Sequence, residues 1–371
     1  MRSRSLIRRL VLALTVTAAF TASAASASPY PSYPDPMGYC VGANHQYDPH
    51  DLGSIPLDPL PTGVSERFVT LGGIRTPLLE AGSGSSPISV VFVHGNIGSS
   101  RDFVDMMSAA RTFGLRLLAF DLPGAGRAEH PWWFPYTEDS VVAWLSDALE
   151  QLGAHHVILV VHDFGGPIGM QWAAEHRQQF LGAAIVDSGV LIGFQDHYLS
   201  AISKTPLAGE AFMAGITKST FSLGAMYGQQ KPLPLEYVAR EYAEFDRPMR
   251  CGVISMYRSV GNFDALGRAQ AAALRPLDRP ATVIWGGNDP YVQLPVAYNQ
   301  KYAFPHDQLH IFPNDGHWPF EDDPKPVTDL VASFLSRWES QAARSVARSR
   351  RAHRHHHRNK RGRHGRSTRR R

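Results

Sequence analysis

Six short apolar runs recur along the chain: ISVVFV (88–93), LRLLAF (115–120), HVILVV (156–161), GAAIV (182–186), ATVIW (281–285) and LHIF (309–312). Each is followed at once by His, Asp, Gly or Pro, so each stops abruptly. A strand with one face in water alternates apolar and polar residues. Runs of Val, Ile and Leu without that alternation suit strands covered on both faces, as in parallel sheets. The intervals between the runs are long enough for helices, so the fold class is α/β, a mostly parallel central sheet with helices on both faces. ERFVTLGG and RTPLLEAG, ahead of the first run, predict a hairpin. The alternation breaks between about Gly189 and Pro280, where TPLAGEAFMAGITKSTFSLGAMYG and LEYVAREYAEFDRPMRCGVISMYRSVGNF read as helices with no strand between them. This predicts a core over 63–188 and 281–341 with a helical lid, 189–280, inserted before the seventh strand. Ligands of such sheets sit beyond the carboxyl ends of the strands. Four polar groups fall there: His94-Gly95-Asn96, His162-Asp163-Phe164, Asp289 and His317.

The termini differ from this body. Residues 1–27 carry four arginines, then an apolar stretch of about a dozen residues, then small residues around Ala25-Ser26-Ala27. That is the pattern of a secretory signal peptide, and it implies a secreted or extracytoplasmic protein with no membrane span once it is cleaved. Residues 28–62, rich in Pro, Tyr, Gly and Asp, read as an extended segment lying on the body. From Arg344 onward there are thirteen lysines and arginines and no acid. The formal charge of +4 therefore becomes −9 without the tail, and −13 without the leader's arginines as well. Residues 342–371 have too little apolar surface to fold and are expected to be disordered. Such a tail is either a solvated appendage or a contact for polyanions. The two cysteines, Cys40 and Cys251, lack zinc spacing. They would either pair in an oxidising compartment or remain unrelated thiols. Nothing in the sequence implies a metal or a cofactor.

The stretch VILVVHDFGGPIGMQWAAEH (157–176) passes from buried strand to helix through Asp163. With His94-Gly95 before it, and Asp289 and His317 after it in that order, it resembles the nucleophile elbow of the α/β-hydrolases over roughly residues 65–340. The elbow has Asp where lipases have Ser, which resembles the epoxide hydrolase and haloalkane dehalogenase branch. The resemblance implies catalysis by Asp163, Asp289 and His317. Asp163 would attack an electrophilic carbon to form an alkyl ester, and His317, oriented by Asp289, would activate the water that hydrolyses it. The backbone N–H groups of Asn96 and Phe164 would hold the oxyanion. Asp187, at the end of the fourth run, is a rival for the acid's place. Asp121, in DLPGAG, resembles a structural turn of the family.

Among substrates, the resemblance favours an epoxide on a small hydrophobic molecule. Dehalogenases usually hold the halide with a Trp after the nucleophile, and Phe164 has no N–H to offer. Tyr257, before Arg258, resembles the lid tyrosine that protonates the opening epoxide, or is lid packing. Tyr198 and Tyr227 are candidates for a second tyrosine. His162 and Trp318 are further candidates for the substrate site. The family's HGxP pattern is broken by Ile97. Haloalkane dehalogenation and ester or lactone hydrolysis remain alternatives, as does a catalytically silent secreted binding protein.

Overall fold

The computed structural model describes residues 38–40, 55, 57–225 and 231–340. The expected signal peptide, most of the N-terminal segment, Tyr227 and the basic tail lie outside the described residues. Eight strands form one sheet: β1 Val64–Leu71, β2 Ile74–Gly82, β3 Ser89–Val93, β4 Arg116–Phe120, β5 Val157–Asp163, β6 Phe180–Ser188, β7 Ala281–Gly286 and β8 Gln308–Phe312. Their spatial order is β1-β2-β4-β3-β5-β6-β7-β8. The β1–β2 and β2–β4 pairs are antiparallel and every other neighbouring pair is parallel. The hairpin turns through Gly72 and Gly73, both at positive φ, which suits the primed two-residue turns that match strand twist.

The fully buried runs Val90–Val93 and Val157–Val161 sit side by side at the centre, as apolar strands without alternation require. Helices α1 (Val104–Ala110) and α12 (Pro324–Ser336) pack on each other, and α3 (Gly165–Glu175) packs against both α2 (Glu138–Gln151) and α9 (Phe263–Leu274). The chain leaves β3 toward β4 on one side and returns to β5 on the other. This reversal opens a crevice at the carboxyl ends of β3 and β5, where Asn96 and Asp163 stand.

The lid lies between β6 and β7. It comprises α4 (Tyr198–Lys204), α5 (Ala208–Ala214), α6 (Lys218–Ala225), α7 (Leu235–Glu244), α8 (Arg247–Ser259) and α9. The strongly amphipathic α7 and α8 bury one face each, and Asp246 caps α8 by accepting the Met249 N–H at 2.9 Å. Polar ties fix the lid. Arg240 on α7 donates to Asp102 of the core at 2.6 Å in a buried pair, and Arg258 on α8 grips Glu210 on α5 at 2.7 and 3.0 Å. Cys40 is bonded to Cys251 across a separation of 211 residues, so the segment ahead of the body is fastened to the lid helix that also carries Tyr257. Such bonds persist in oxidising compartments. Cys40→Ser should lower unfolding free energy by about 2–4 kcal/mol. Urea unfolding checks this, and equal midpoints for variant and wild type would contradict it.

Candidate active site

β5 ends on Asp163, and α3 begins two residues later. The turn holds Asp163 at φ 46°, a left-handed conformation that costs a non-glycine residue about 1–2 kcal/mol. The surroundings hold it there. The Ser188 hydroxyl donates to the Asp163 carbonyl. A Cβ at Gly165 would collide with the Val93 carbonyl, and one at Gly166 with the Ser188 hydroxyl. The helix can therefore pack close behind the turn only through glycine, and the aspartate side chain projects over the sheet edge.

There it meets two groups from other strand ends. Asp163 Oδ1 accepts the Asn96 N–H at 2.7 Å, and Oδ2 lies 3.3 Å from His317 Nε2. His317 Nδ1 lies 2.8 Å from Asp289 Oδ2. Asp289 Oδ1 accepts the N–H groups of Tyr291 and Val292 at 2.7 and 2.9 Å, so its carboxylate is fixed on both sides. The side chain of His317 is 2% exposed and that of Asp163 10%. Burial disfavours the charged imidazole, but the carboxylates of Asp289 and Asp163 outweigh it and hold the His317 pKa well above its ordinary value. Burial likewise pushes Asp163 up, and the His317 hydrogen bond and charge more than compensate, leaving its pKa lowered. His317 thus sits between two carboxyl groups that favour its protonated form.

Above Asp163 lies a pocket of about 280 Å³, counting its open mouth. Phe164, Leu191, Phe194, Phe263 and Val292 wall it, and two polar groups from the lid region enter it, Tyr257 and His197. Tyr257 Oη lies 3.3 Å from His197 Nε2, and Phe164 meets the Tyr257 ring edge-on at 4.9 Å. His197 Nδ1 accepts the Ser200 N–H at 3.3 Å as the cap of α4. A neutral imidazole carries one proton, so here it is on Nε2. His197 therefore donates to Tyr257, which leaves the tyrosine's own proton to point elsewhere. Burial holds the His197 pKa at about 4, which keeps the ring neutral above that pH.

The other sequence candidates fall outside the pocket lining. His162 is buried behind the elbow, where its Nε2–H donates to the His317 carbonyl at 2.8 Å. Burial and the His317 charge push its pKa down to about 3, so it braces the histidine loop as a neutral ring, outside the pocket lining. Trp318 packs edge-on against His317 at 5.0 Å. Tyr198 packs against Tyr291 at 6.4 Å, one residue past the histidine that does line the pocket. Tyr227 lies outside the described residues. Asp121 accepts the N–H groups of Ser100 and Arg127, both at 2.8 Å, as a turn-holding residue. Asp187 is buried beside Asp289 but makes no contact with His317 Nδ1, which faces Asp289. His197 and Tyr291, whose ring meets His317 edge-on at 5.1 Å, were missed from the sequence.

A model of the alpha/beta hydrolase fold matches residues 88–324. Epoxide hydrolase 3 of Xenopus tropicalis is 25% identical over 286 residues, which is 71% of this chain and 75% of that protein. Among solved structures, a haloalkane dehalogenase loop variant from Bradyrhizobium elkanii superposes with a TM-score of 0.65 at 21% identity, covering 76% of this chain and 100% of that one. An epoxide hydrolase mutant from Vigna radiata gives a TM-score of 0.61 at 19% identity, covering 74% and 99%. At these identities the two structures establish a shared fold.

Proposed function

The chain belongs to the alpha/beta hydrolase fold family, and we propose that it hydrolyses an epoxide on a small hydrophobic molecule through an ester formed on Asp163. The observation that carries this reading is the pairing of Tyr257 with His197 in an otherwise apolar pocket above Asp163. Asp163 Oδ2 attacks an epoxide carbon as the ring C–O bond breaks, and Tyr257 gives its proton to the departing alkoxide. The phenolate left behind keeps the His197 Nε2–H as a hydrogen-bond donor, which offsets the burial that makes Tyr257 a reluctant acid.

Ester formation also prepares the second step. It removes the Asp163 charge, one of the two that hold the proton on His317. The imidazolium can then restore the Tyr257 hydroxyl through solvent and stand ready as a base. Water attacks the Asp163 carbonyl carbon, giving one proton to His317 and its oxygen to the carboxyl. The Asn96 N–H steadies the charge that develops on Oδ1, a kind of contact worth about 3 kcal/mol. The acyl C–O bond then breaks, the departing alkoxide takes the second water proton and leaves as the alcohol, and the Asp163 carboxylate is restored. A His317→Gln enzyme offered mixed epoxides and haloalkanes should accumulate a covalent adduct whose mass identifies an opened epoxide. An adduct lacking the alcohol oxygen, or none on Asp163, would refute the assignment.

A second reading is favoured by one observation: Asn96 Nδ2 is buried without a hydrogen-bond partner, and a side-chain amide is a donor that can hold a halide. A halide held by Asn96 alone would lack a second donor, because Phe164 supplies none. Phe164→Trp should therefore gain bromide-dependent fluorescence quenching that the wild type lacks. Equal quenching in both proteins would favour dehalogenation.

A further inference from the structure

We propose that Asp187 is held as a neutral carboxylic acid that donates a hydrogen bond to Asp289 and thereby positions the Asp289–His317 pair; this rests on the reading of Asp163, His317 and Asp289 given above. Strands β6 and β7 are parallel neighbours, so the carboxyl end of β6, which carries Asp187, meets the turn after β7, which carries Asp289, and both places where the acid of such a site can stand are occupied here. Asp187 takes φ 42° and is 0% exposed. Its Oδ1 accepts the Gly286 N–H at 2.9 Å, while its Oδ2 is buried with no hydrogen-bond partner. The charged groups acting on this carboxyl are Asp289 and His317, and His317 spends both ring nitrogens on Asp289 and Asp163.

As a carboxylate, Asp187 would leave a bare buried oxygen beside another carboxylate. A site already holding two carboxylates and one imidazolium would carry a third negative charge away from water. Protonation removes both faults. The O–H becomes a donor, and Asp289 is the acceptor beside it. Burial and the Asp289 charge raise the Asp187 pKa well above the usual carboxylate range, in keeping with this geometry. Asp289 would then be fixed by the Tyr291 and Val292 N–H groups, by His317 and by Asp187. Asparagine can reproduce both contacts of a neutral acid, its carbonyl accepting the Gly286 N–H and its amide donating to Asp289. Leucine has similar size and offers neither contact.

The test compares Asp187→Asn and Asp187→Leu on an epoxide that the wild type turns over, with difference infrared spectroscopy of wild type against Asp187→Asn at neutral pH. Leucine should lower kcat by about ten- to a hundredfold with KM little changed, and asparagine should rescue kcat to within about threefold of wild type. The infrared difference should contain a protonated-carboxyl band, shifted in heavy water, that the variant lacks. Loss of activity in Asp187→Asn as severe as in Asp289→Asn would overturn the proposal, because it would make Asp187 the ionised acid. Absence of the band would overturn it too. The infrared arm needs no substrate, so a band in a protein that opens no epoxide would refute the proposed reaction and leave the neutral Asp187 standing.

Discussion

Replacing Asp163 with asparagine should reduce epoxide hydrolysis by on the order of 10⁴- to 10⁶-fold, the scale on which removing a covalent nucleophile acts. The amide is nearly isosteric and can still meet the Asn96 N–H, so folding should survive while nucleophilicity is lost. Asp289→Asn should be milder, because His317 keeps a neighbour of the same shape but loses the charge that holds its proton. Steady-state kinetics with thermal unfolding as a folding control checks both. An Asp163→Asn protein that retains more than about a hundredth of wild-type kcat would show that another group attacks the substrate.

The second large effect concerns ring opening. Tyr257→Phe removes one hydroxyl from a packed site and should slow epoxide opening by about 10²- to 10⁴-fold, the range typical of a positioned general acid. His197→Gln, which keeps an N–H near Tyr257, should be less damaging than His197→Leu, which keeps none. Because His197 stays neutral above pH about 4, its protonation should add no acid limb to the rate profile until the pH approaches that value. Below it, the proton added at Nδ1 would displace the Ser200 N–H and break the α4 cap. The site also has a linked effect on folding. The folded state depresses the pKa of His197 from 6.5 to about 4, so the unfolded chain binds more protons in that window. His197 thus contributes a loss of stability as pH falls from about 6.5 to 4. Single-turnover rates and unfolding across that range, for wild type and His197→Gln, measure both effects.

The frame of this site was legible because strand ends carry strong local signals. Apolar runs locate the strands, and the parallel connection rule brings their carboxyl ends together. The Asp163, Asp289 and His317 positions follow from chain order plus glycines that only a tight turn needs. The lid was legible only as helices. His197 stands 60 residues from Tyr257, and its role depends on how α4 folds back over β5, which no local pattern records. Tyr198, one residue further along, and Tyr227 were the candidates for a second hydroxyl, because an imidazole that caps a helix looks like an ordinary loop histidine. The helix after Asp289, Leu294–Asn299, does not begin until five residues later. The intervening turn places the Tyr291 and Val292 N–H groups on Asp289 and the Tyr291 ring against His317. The pairing of Cys40 with Cys251 was open in the sequence because no spacing rule gives a distance across so long a loop.

In the proposed reaction water attacks an ester carbonyl belonging to Asp163 and never the substrate carbon. Single-turnover hydrolysis with enzyme in excess, in water enriched in ¹⁸O, tests it most directly when followed by peptide mass spectrometry of the segment containing Asp163. The label should enter the Asp163 carboxylate, and the first product molecule should carry unlabelled oxygen from the enzyme. Label in the product with none in Asp163 would contradict it, and would assign direct attack by water.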